Sequence, residues 1–435
     1  MFAGAATERL GLGSGVGLVV ANMIGAGVFV SAGFMAQQLG PGAILLAWAV
    51  GAVLALCGTL AYGAIVRAWP RSGGEYRFLS DLLHPFAGYL AGWTSLLVGF
   101  SAPIAASALS AGHFARTLWP SVPPVAFAAA LIAALTALHA AGFRTSTRTQ
   151  NGLVVLKSAL LFGFVAVGLA HAPAYWPAWE PPRPASDVVP VFATSLFFVS
   201  FAFSGWNAAV YAASEFAKPR RDVPRAMLLG CLLVAVLYLA VNWVFVASLT
   251  PEQASVALTF ETDQVTLGHV IMREALGPAG GAAMSVLTIA ALVSSMSAMV
   301  FVGPRVYAAM AKDGFLPRAL AGSGDAPPLP AVVLQGALAL LILLTHPLHE
   351  MLQNLGAVLT LFAALTAGAL FKVRWTRPDL EQPTALALAA AGLFVASSLV
   401  LLTFGVQASW RLAAWLGLTL VLSSIAFRFT RREPA

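Results

Sequence analysis

The sequence predicts an all-α integral membrane protein with twelve transmembrane helices. Of its 435 residues, 59% are hydrophobic and only 9% are charged, whereas about 25% of residues are charged in soluble proteins. Apolar runs that approach or exceed the roughly 20 residues needed to cross a bilayer recur along the whole chain, and Pro and Gly separate them. The predicted spans are 12–36, 42–67, 86–115, 123–142, 151–170, 188–214, 226–249, 281–309, 330–345, 351–371, 384–404 and 409–429.

Positive charge is concentrated on one side of the predicted membrane. When the loops are assigned alternately to two sides, 19 of the 24 Lys and Arg residues fall on one side and four on the other. Loops rich in Lys and Arg face the cytoplasm, so both termini are expected there. The same asymmetry explains the net charge of +7 without nucleic-acid binding.

The first span contains a stretch that is poorly suited to a continuous helix. Gly25, Ala26 and Gly27 lie near its centre, and each Gly costs roughly 1 kcal/mol relative to Ala in a helix interior. A helix that opens inside the membrane leaves backbone groups unpaired unless a ligand or a cavity satisfies them. The stretch therefore predicts either a helix opened to bind a ligand or a surface for close helix packing.

The sixth span carries a second interruption, where Ser204, Gly205 and Asn207 lie between aromatic residues. It follows the first interruption by five spans. Many transporters consist of two inverted repeats, and substrate binds where the interrupted helices of the repeats meet. The spacing therefore favours ligand binding at the first interruption. This indication is positional, because the two halves show no strong sequence repeat.

Lys157 is the one cation of the 24 that is counted with neither side, because it lies deep in the fifth predicted span. A charge at that depth costs about 3 kcal/mol or more unless it is paired or lies in a watery cavity. Two interpretations follow from the residue alone. Lys157 is either a functional group or a side chain that extends toward the membrane surface.

Several local motifs resemble the amino acid–polyamine–organocation superfamily of transporters, in particular its L-type amino acid transporter branch and bacterial relatives. They cover about three-quarters of the chain. The matching stretches are GVGLVVANMIGAGVFVS (15–31), WPRSGGEYRFL (69–79), TRTQNG (147–152) with Lys157, FAFSGWNAAVYAASEFAKPRRDVPRAM (201–227), Tyr238 with Asn242, and DGFLPRAL (313–320).

This resemblance implies a single transporter domain over 1–435 with a five-plus-five inverted repeat, the LeuT-like fold. Helices one and six are discontinuous in that fold. The first repeat is expected at about 12–170 and the second at about 188–371. Two further helices, at about 384–429, are appended to the repeats.

An amino acid zwitterion suits the two interruptions chemically. Its carboxylate would accept hydrogen bonds from backbone N–H groups at the start of a half-helix. Its ammonium would donate to carbonyls at the end of one, within 20–22 or 201–203. By resemblance, Phe201 is an aromatic gate, and Ser204 and Tyr238 lie close to the substrate. The predicted substrate-binding residues are Ile24, Gly25, Ala26, Gly27, Phe201, Ala202, Phe203, Ser204 and Tyr238.

Lys157 acquires a role from the same resemblance. Sodium-independent members place a lysine amine where sodium-coupled relatives of this fold carry a cation, between helices one and eight. Here the amine is expected to bond carbonyls near Ala21 and Asn22 and the hydroxyl of Ser294 or Ser295. Because a buried lysine can lose its proton, it is either a fixed substitute for the cation or a proton-coupling group.

These residues predict a sodium-independent secondary transporter of neutral L-amino acids, working by exchange or proton-coupled uptake. No Asp or Glu lies near the centre of any span, which favours neutral substrates over the alternative of a cationic amino acid or polyamine permease. A channel would need a pore-lining ring of charges or carbonyls, and a transport-derived sensor would usually carry a soluble domain. Neither is visible. An intramembrane enzyme is disfavoured, because the seven histidines form no metal pattern.

The remaining expectations concern cofactors, partners and location. No catalytic residue, metal or other cofactor is predicted, and the partners are an amino acid substrate and membrane lipid. The 113–124 loop has no cysteine, whereas animal relatives use one there to bind a heavy-chain glycoprotein. No disulfide-linked heavy chain is therefore expected, and the predicted location is a bacterial inner membrane, with both termini cytoplasmic.

Overall fold

The computed structural model describes residues 9–141, 147–171, 176–177, 179, 187–249, 266–322, 329–408 and single positions between 417 and 427. This described part is helical, and its only β pairing is one isolated bridge. The helices are α1 (Leu12–Met23), α2 (Ala26–Ala36), α3 (Pro41–Ala68), α4 (Gly74–Phe78), α5 (Pro85–Thr94), α6 (Ala102–Leu118), α7 (Pro124–Ala140), α8 (Thr147–His171), α9 (Val188–Phe203), α10 (Ala208–Tyr211), α11 (Pro219–Ala247), α12 (Leu267–Lys312), α13 (Leu329–Thr345), α14 (Leu348–Thr376) and α15 (Ala385–Ala408).

The helices confirm the predicted class of a multi-pass helical membrane protein. Within the described residues, seven segments are long and apolar enough to cross a membrane, and α1 and α2 together form one of them. Four shorter apolar helices accompany them at Pro124–Ala140, Val155–His171, Val188–Phe203 and Leu329–Thr345. Most of the last predicted span, 409–429, lies outside the described residues.

Two helices extend well beyond the apolar runs that predicted them. The run at 226–249 belongs to α11, which begins at Pro219, because proline is favourable at the first helical position and the charged residues that follow continue the helix outside the hydrocarbon. The run at 281–309 belongs to α12, which begins at Leu267 and is kinked at Gly277, where φ is +74°. Hydropathy marks the membrane-embedded part of a helix and not its full length.

The helices form two groups that meet around the centre of the protein. In one group, α3 packs against α11 and α9, and α1 packs against α11. In the other, α6 packs against α7 and α12, and α7 packs against α13. Small residues allow close approach in the first group: Gly51 faces Val199, and Gly58 faces the ring of Trp206. Membrane helices associate through such small-residue contacts, since apolar burial gains little within lipid.

A group of ionic contacts identifies the side of the molecule that carries the basic loops. Asp313, just after α12, bonds Tyr76 and Arg77 of the α3–α5 connection. Glu381, between α14 and α15, lies 3.6 Å from Arg67 and 3.5 Å from Arg220. We call this side the basic face. Its exposed ion pairs contribute about 0–1 kcal/mol each to stability, but they show that these loops share one side.

At the basic face, the chain before α1 pairs with the chain after α10. The Leu10 amide donates to the Glu215 carbonyl at 2.9 Å, and the Ala217 amide donates to the Leu10 carbonyl at 3.1 Å. Phe216, between them, is buried against Gly15, where an added Cβ would lie 2.7 Å from its ring. The ends of α1 and of the α10 segment are therefore held together.

Candidate functional site

The first interruption separates α1 from α2 at the glycine-containing stretch. The last helical residue of α1 is Met23, and the Ile24 amide still donates to the Val20 carbonyl at 3.1 Å. Gly25 then adopts an extended conformation, with φ −139° and ψ −157°, and α2 begins at Ala26. The chain therefore presents the end of one short helix and the start of another at the same depth.

The second interruption lies directly against the first. Helix α9 ends at Phe203, Gly205 has φ +97°, and α10 begins at Ala208. A Cβ added to Gly205 would lie 2.8 Å from the Asn22 carbonyl carbon. Glycine is therefore required twice over, for its left-handed backbone and for the close approach of the two interrupted helices.

Tyr238 of α11 connects the two interrupted helices through its hydroxyl. That oxygen lies 2.6 Å from the Met23 carbonyl, to which it donates, and 3.3 Å from the Ala202 carbonyl. Its ring packs edge-on against Trp48 and Phe203, with centroid distances of 5.5 and 5.2 Å. The tyrosine thus satisfies a carbonyl that the end of α1 leaves without a helical partner.

The side of the interruptions away from the basic face is closed by tight packing. A Cβ on Gly27 would lie 2.7 Å from the Ala202 Cβ, so α2 and α9 touch backbone to backbone. Further along, Phe34 stacks on Phe198 with centroids 5.8 Å apart. The Ser31 hydroxyl also donates to the Phe198 carbonyl at 3.3 Å. No space for a ligand remains between α2 and α9.

On the other side of the interruptions lies a cavity of about 590 Å³. It ends at Ala21, Asn22 and the 203–205 turn, and its wall continues through Ser72 and Glu215 at the basic face. Pockets of roughly 300–1,000 Å³ with a few polar groups in an apolar wall are typical small-molecule sites. The cavity therefore extends toward the basic face and is closed by helix packing on the opposite side of the interruptions.

The predicted site residues divide into two sets in this conformation. Four of them, Ala21, Asn22, Phe203 and Ser204, line the cavity. The others lie behind the wall or in the closed packing, because α2 rests directly on α9. These are Ile24, Gly25, Ala26, Gly27, Lys157, Phe201, Ala202, Tyr238, Ser294 and Ser295.

Lys157 lies beside the end of α1, with only 2% of its surface exposed. Its Nζ donates to the Ala21 carbonyl and, at 3.1 Å, to the Ile24 carbonyl. Carbonyls in the last turn of a helix lack an intrahelical partner, so the ammonium takes the place of the missing N–H groups. In the described part of the chain, no carboxylate forms a salt bridge with Lys157.

The expected hydroxyl partners of Lys157 differ from those observed. The amine was expected to bond Ser294 or Ser295, but its second bond goes to Ile24. The Ser295 Oγ is buried and has no hydrogen-bond partner within the described residues. It lies 3.3 Å from the position of a Cβ on Gly25. Ile24 itself has an extended backbone, with ψ +92°, which turns its carbonyl out of the helix to where the amine donates to it.

Glu75 of α4 lines the cavity and was missed by the sequence reasoning. Tyr62 donates to its Oε1 at 2.7 Å, and Asn207 donates to the same atom at 3.2 Å. Burial raises the pKa of this carboxyl from 4.5 to about 7. The two glycines before it, Gly73 and Gly74, both have positive φ, so the Gly-Gly-Glu sequence was the signal for a sharp turn that returns the chain to the cavity.

The groups that line the cavity are suited to binding a small polar molecule. Among the described residues, no group of three or more His, Cys, Asp or Glu side chains could hold a metal ion. The cavity instead presents the ends of two interrupted helices, whose partial charges suit a zwitterion. Its one buried carboxylate, Glu75, is engaged by neutral donors.

Comparison with known proteins agrees with this geometry. The family model described as "Amino acid permease" matches residues 10–423. Similar proteins include the large neutral amino acids transporter small subunit 2 of Rattus norvegicus, 26% identical over 97% of this chain and 80% of the relative. Two others are the Asc-type amino acid transporter 1 of Mus musculus, at 24% over 97% and 81%, and the b(0,+)-type amino acid transporter 1 of Mus musculus, at 26% over 91% and 82%.

The family match spans both interruptions, the Lys157 site and all of the helices α1 to α15. These three relatives are transporters by name. The resemblance inferred from the local motifs is confirmed. The chain belongs to the amino acid permease family.

Proposed function

We propose that this protein is a sodium-independent secondary transporter of neutral L-amino acids that works by alternating access. The observation that carries the proposal is the meeting of two interrupted helices at the closed end of the cavity. Uncovered helix ends at mid-membrane are costly unless a ligand or cavity uses them. A molecule with adjacent negative and positive groups, such as an amino acid, complements them.

The polarity of the helix ends supports an assignment of the two charged groups of the substrate. The N–H groups of Gly25, Ala26 and Gly27, at the start of α2, favour the carboxylate. Because these residues lie behind the cavity wall in this conformation, we assign them to the substrate carboxylate once α2 and α9 part. The ammonium goes to carbonyls at the ends of α1 and α9. Lys157 and Tyr238 already donate to neighbouring carbonyls. The carbonyls of Asn22 and Phe203, two cavity-lining residues, are then the acceptors that we assign to the substrate ammonium.

The conformation is assigned as open to the cytoplasm. Loops rich in Lys and Arg face that side, and the cavity wall reaches the basic face through Ser72 and Glu215. We therefore place both termini in the cytoplasm of a bacterial cell, with the tight contact of Gly27 and Ala202 on the outer side. The full fold is proposed to have twelve spans in a five-plus-five inverted repeat, with discontinuous first and sixth helices.

Sodium independence rests on Lys157. Its ammonium occupies the end of α1 and supplies a permanent or protonation-dependent positive charge there. Exchange and proton symport both agree with this arrangement. A fixed ammonium would support exchange, whereas loss and gain of its proton would couple uptake to pH.

A second candidate substrate class is favoured by Glu75. A carboxylate in the cavity wall could pair with a cationic side chain or a polyamine, although Tyr62 and Asn207 engage it in this conformation. We retain neutral amino acids as the proposal, because burial favours the neutral form of that carboxyl. No disulfide-linked partner subunit is proposed, since the 113–124 loop carries no cysteine.

Uptake into proteoliposomes tests the proposal. One radiolabelled neutral amino acid is competed against all twenty amino acids and a polyamine, in sodium and in choline buffers, with a counterflow arm. We expect neutral amino acids to compete, choline to support full uptake, and counterflow to separate exchange from net uptake. Steep sodium dependence, or competition by cationic compounds alone, would contradict it.

A further inference from the structure

Ser297 of α12 forms a hydrogen bond with a residue outside the cavity. Its Oγ lies 2.9 Å from Nε2 of His139, in the last turn of α7. Ser297 lines the cavity, whereas His139 does not. Both side chains are half-buried. The pair therefore links the cavity wall to a neighbouring helix that makes no contact with the cavity itself.

Ser297 is placed close to the two interruptions. Ser295, two residues earlier, lies beside Gly25, and a helix rises about 1.5 Å per residue. Ser297 is therefore about 3 Å further toward the basic face, where the α12 wall of the cavity begins and continues with Ala298 and Val302. A substrate whose head group is held at the interruptions has its side chain at this level.

The hydroxyl of Ser297 differs from others in the same wall. The Ser95 hydroxyl donates to the Ala91 carbonyl at 2.8 Å, and the Ser398 hydroxyl donates to the Phe394 carbonyl at 2.7 Å. Both are committed to the preceding turn of their own helix. The Ser297 hydroxyl is instead bonded to the imidazole of His139, which lies on α7 outside the cavity, so its orientation depends on another helix.

The Ser297 hydroxyl can accept a further hydrogen bond while it is bonded to His139. A serine hydroxyl has one donor and two acceptor lone pairs. If the hydroxyl donates to His139, both lone pairs remain. If Nε2 donates, one lone pair and the hydroxyl proton remain. In either tautomer of His139, a donor on the substrate finds an acceptor at Ser297.

We propose that Ser297 binds a hydroxyl group on the side chain of the transported amino acid, and that His139 is the positioning residue that orients it. This deepens the proposed function and rests on it. The substrate class is that of small hydroxyl-bearing amino acids. The site would distinguish them from apolar amino acids of equal shape by one hydrogen bond.

Two matched pairs of competitors test the proposal: threonine against valine, which share a shape, and serine against alanine. Inhibition constants are measured in proteoliposomes for the wild type, Ser297→Ala, His139→Ala and the double variant. We expect the wild type to favour the hydroxyl member of each pair by about two- to tenfold, the usual worth of one hydrogen bond. Each single variant should bring the ratio near one, with no further change in the double variant.

Conservative and unrelated substitutions separate positioning from general damage. His139→Gln retains a hydrogen-bonding side chain and should restore part of the preference. Ser110→Ala removes a buried serine that bonds its own helix, and His346→Ala removes a half-buried histidine that bonds the neighbouring Thr345. Both controls should keep the wild-type ratio. Each variant is checked for a monodisperse elution profile in detergent.

Five outcomes are decisive. Loss of the preference in both single variants supports the proposal. An unchanged ratio in Ser297→Ala overturns it, and so does an equal loss of affinity for both members of each pair. An unchanged ratio in His139→Ala overturns the positioning role. If wild-type protein transports no amino acid, the proposed function fails first, and this result is distinct from all the others.

Discussion

Gly27 is a point on the closed side of the protein at which α2 and α9 leave no room for a larger side chain. A Cβ at this position would lie 2.7 Å from the Ala202 Cβ, whereas ordinary contacts begin near 3.4 Å. The Ala202 Cα would lie nearer still, so the substitution Gly27→Ala requires α2 and α9 to separate by about 1 Å. Since the contact belongs to the conformation described here, the added methyl should disfavour this conformation relative to one in which the two helices part.

The magnitude follows from the cost of overpacking. Inserting a methyl group into a well-packed contact costs about 1–3 kcal/mol. A free energy of that size changes the ratio of two conformations by about 5–150-fold. Gly13→Ala is the matched control in α1, because no atom lies within 4 Å of a Cβ at position 13. It should leave the ratio of conformations unchanged.

Thiol accessibility measures the separation of α2 and α9. Cys57 and Cys231 are first replaced by alanine, and Ser31→Cys then places a reporter one turn beyond Gly27, where the side chain is fully buried. A membrane-impermeant maleimide is applied from outside. With alanine at position 27, we expect labelling to accelerate by at least fivefold over the Gly13→Ala background. Equal labelling rates in folded protein would refute the proposed packing of the closed side.

Four further substitutions test the site. Lys157→Ala removes the ammonium from the end of α1 and should abolish uptake or alter its coupling; unchanged uptake and pH dependence would exclude the role assigned to this residue. Tyr238→Phe keeps the aromatic packing but loses the hydrogen bond to the Met23 carbonyl, so we expect substrate affinity to fall about two- to tenfold in competition assays, and equal affinity would contradict this. Gly25→Val should remove substrate binding without preventing membrane insertion, and retained binding would count against the site. Glu75 has a raised pKa in the folded protein, so its contribution to stability should be full below about pH 4.5 and fall by up to about 3 kcal/mol as pH rises to about 7. Glu75→Gln should therefore reduce the pH dependence of the thermal denaturation temperature across that range. A pH dependence equal to that of the wild type would disprove the assignment.

The glycine-containing centres of the first and sixth spans were predictable from sequence, because local composition opposes a continuous helix there. The burial of Lys157 followed from its depth in an apolar run, although its second acceptor, the Ile24 carbonyl, depends on how the backbone turns at Ile24. Glu75 was not predictable from hydropathy, because it lies in a loop that re-enters the cavity.

The Ser297–His139 pair was also beyond local sequence reasoning, since the two residues are 158 positions apart and only helix packing brings them together. The closure between α2 and α9 was equally inaccessible. Hydropathy carries no information about which of several conformations a transporter adopts, and the contact between Gly27 and Ala202 belongs to one of them.

The backbone pairing of Leu10 with Glu215 and Ala217 has a consequence for the leakage of water and ions through the protein. It uses backbone groups alone, so side-chain changes at 10 or 215 leave its hydrogen bonds intact. Two such bonds are worth about 2 kcal/mol together, and Phe216 adds its packing against Gly15. One half-helix can move without the other only by breaking this connection. Concerted movement avoids half-open states, in which water and ions would find a continuous path beside an unmoved helix.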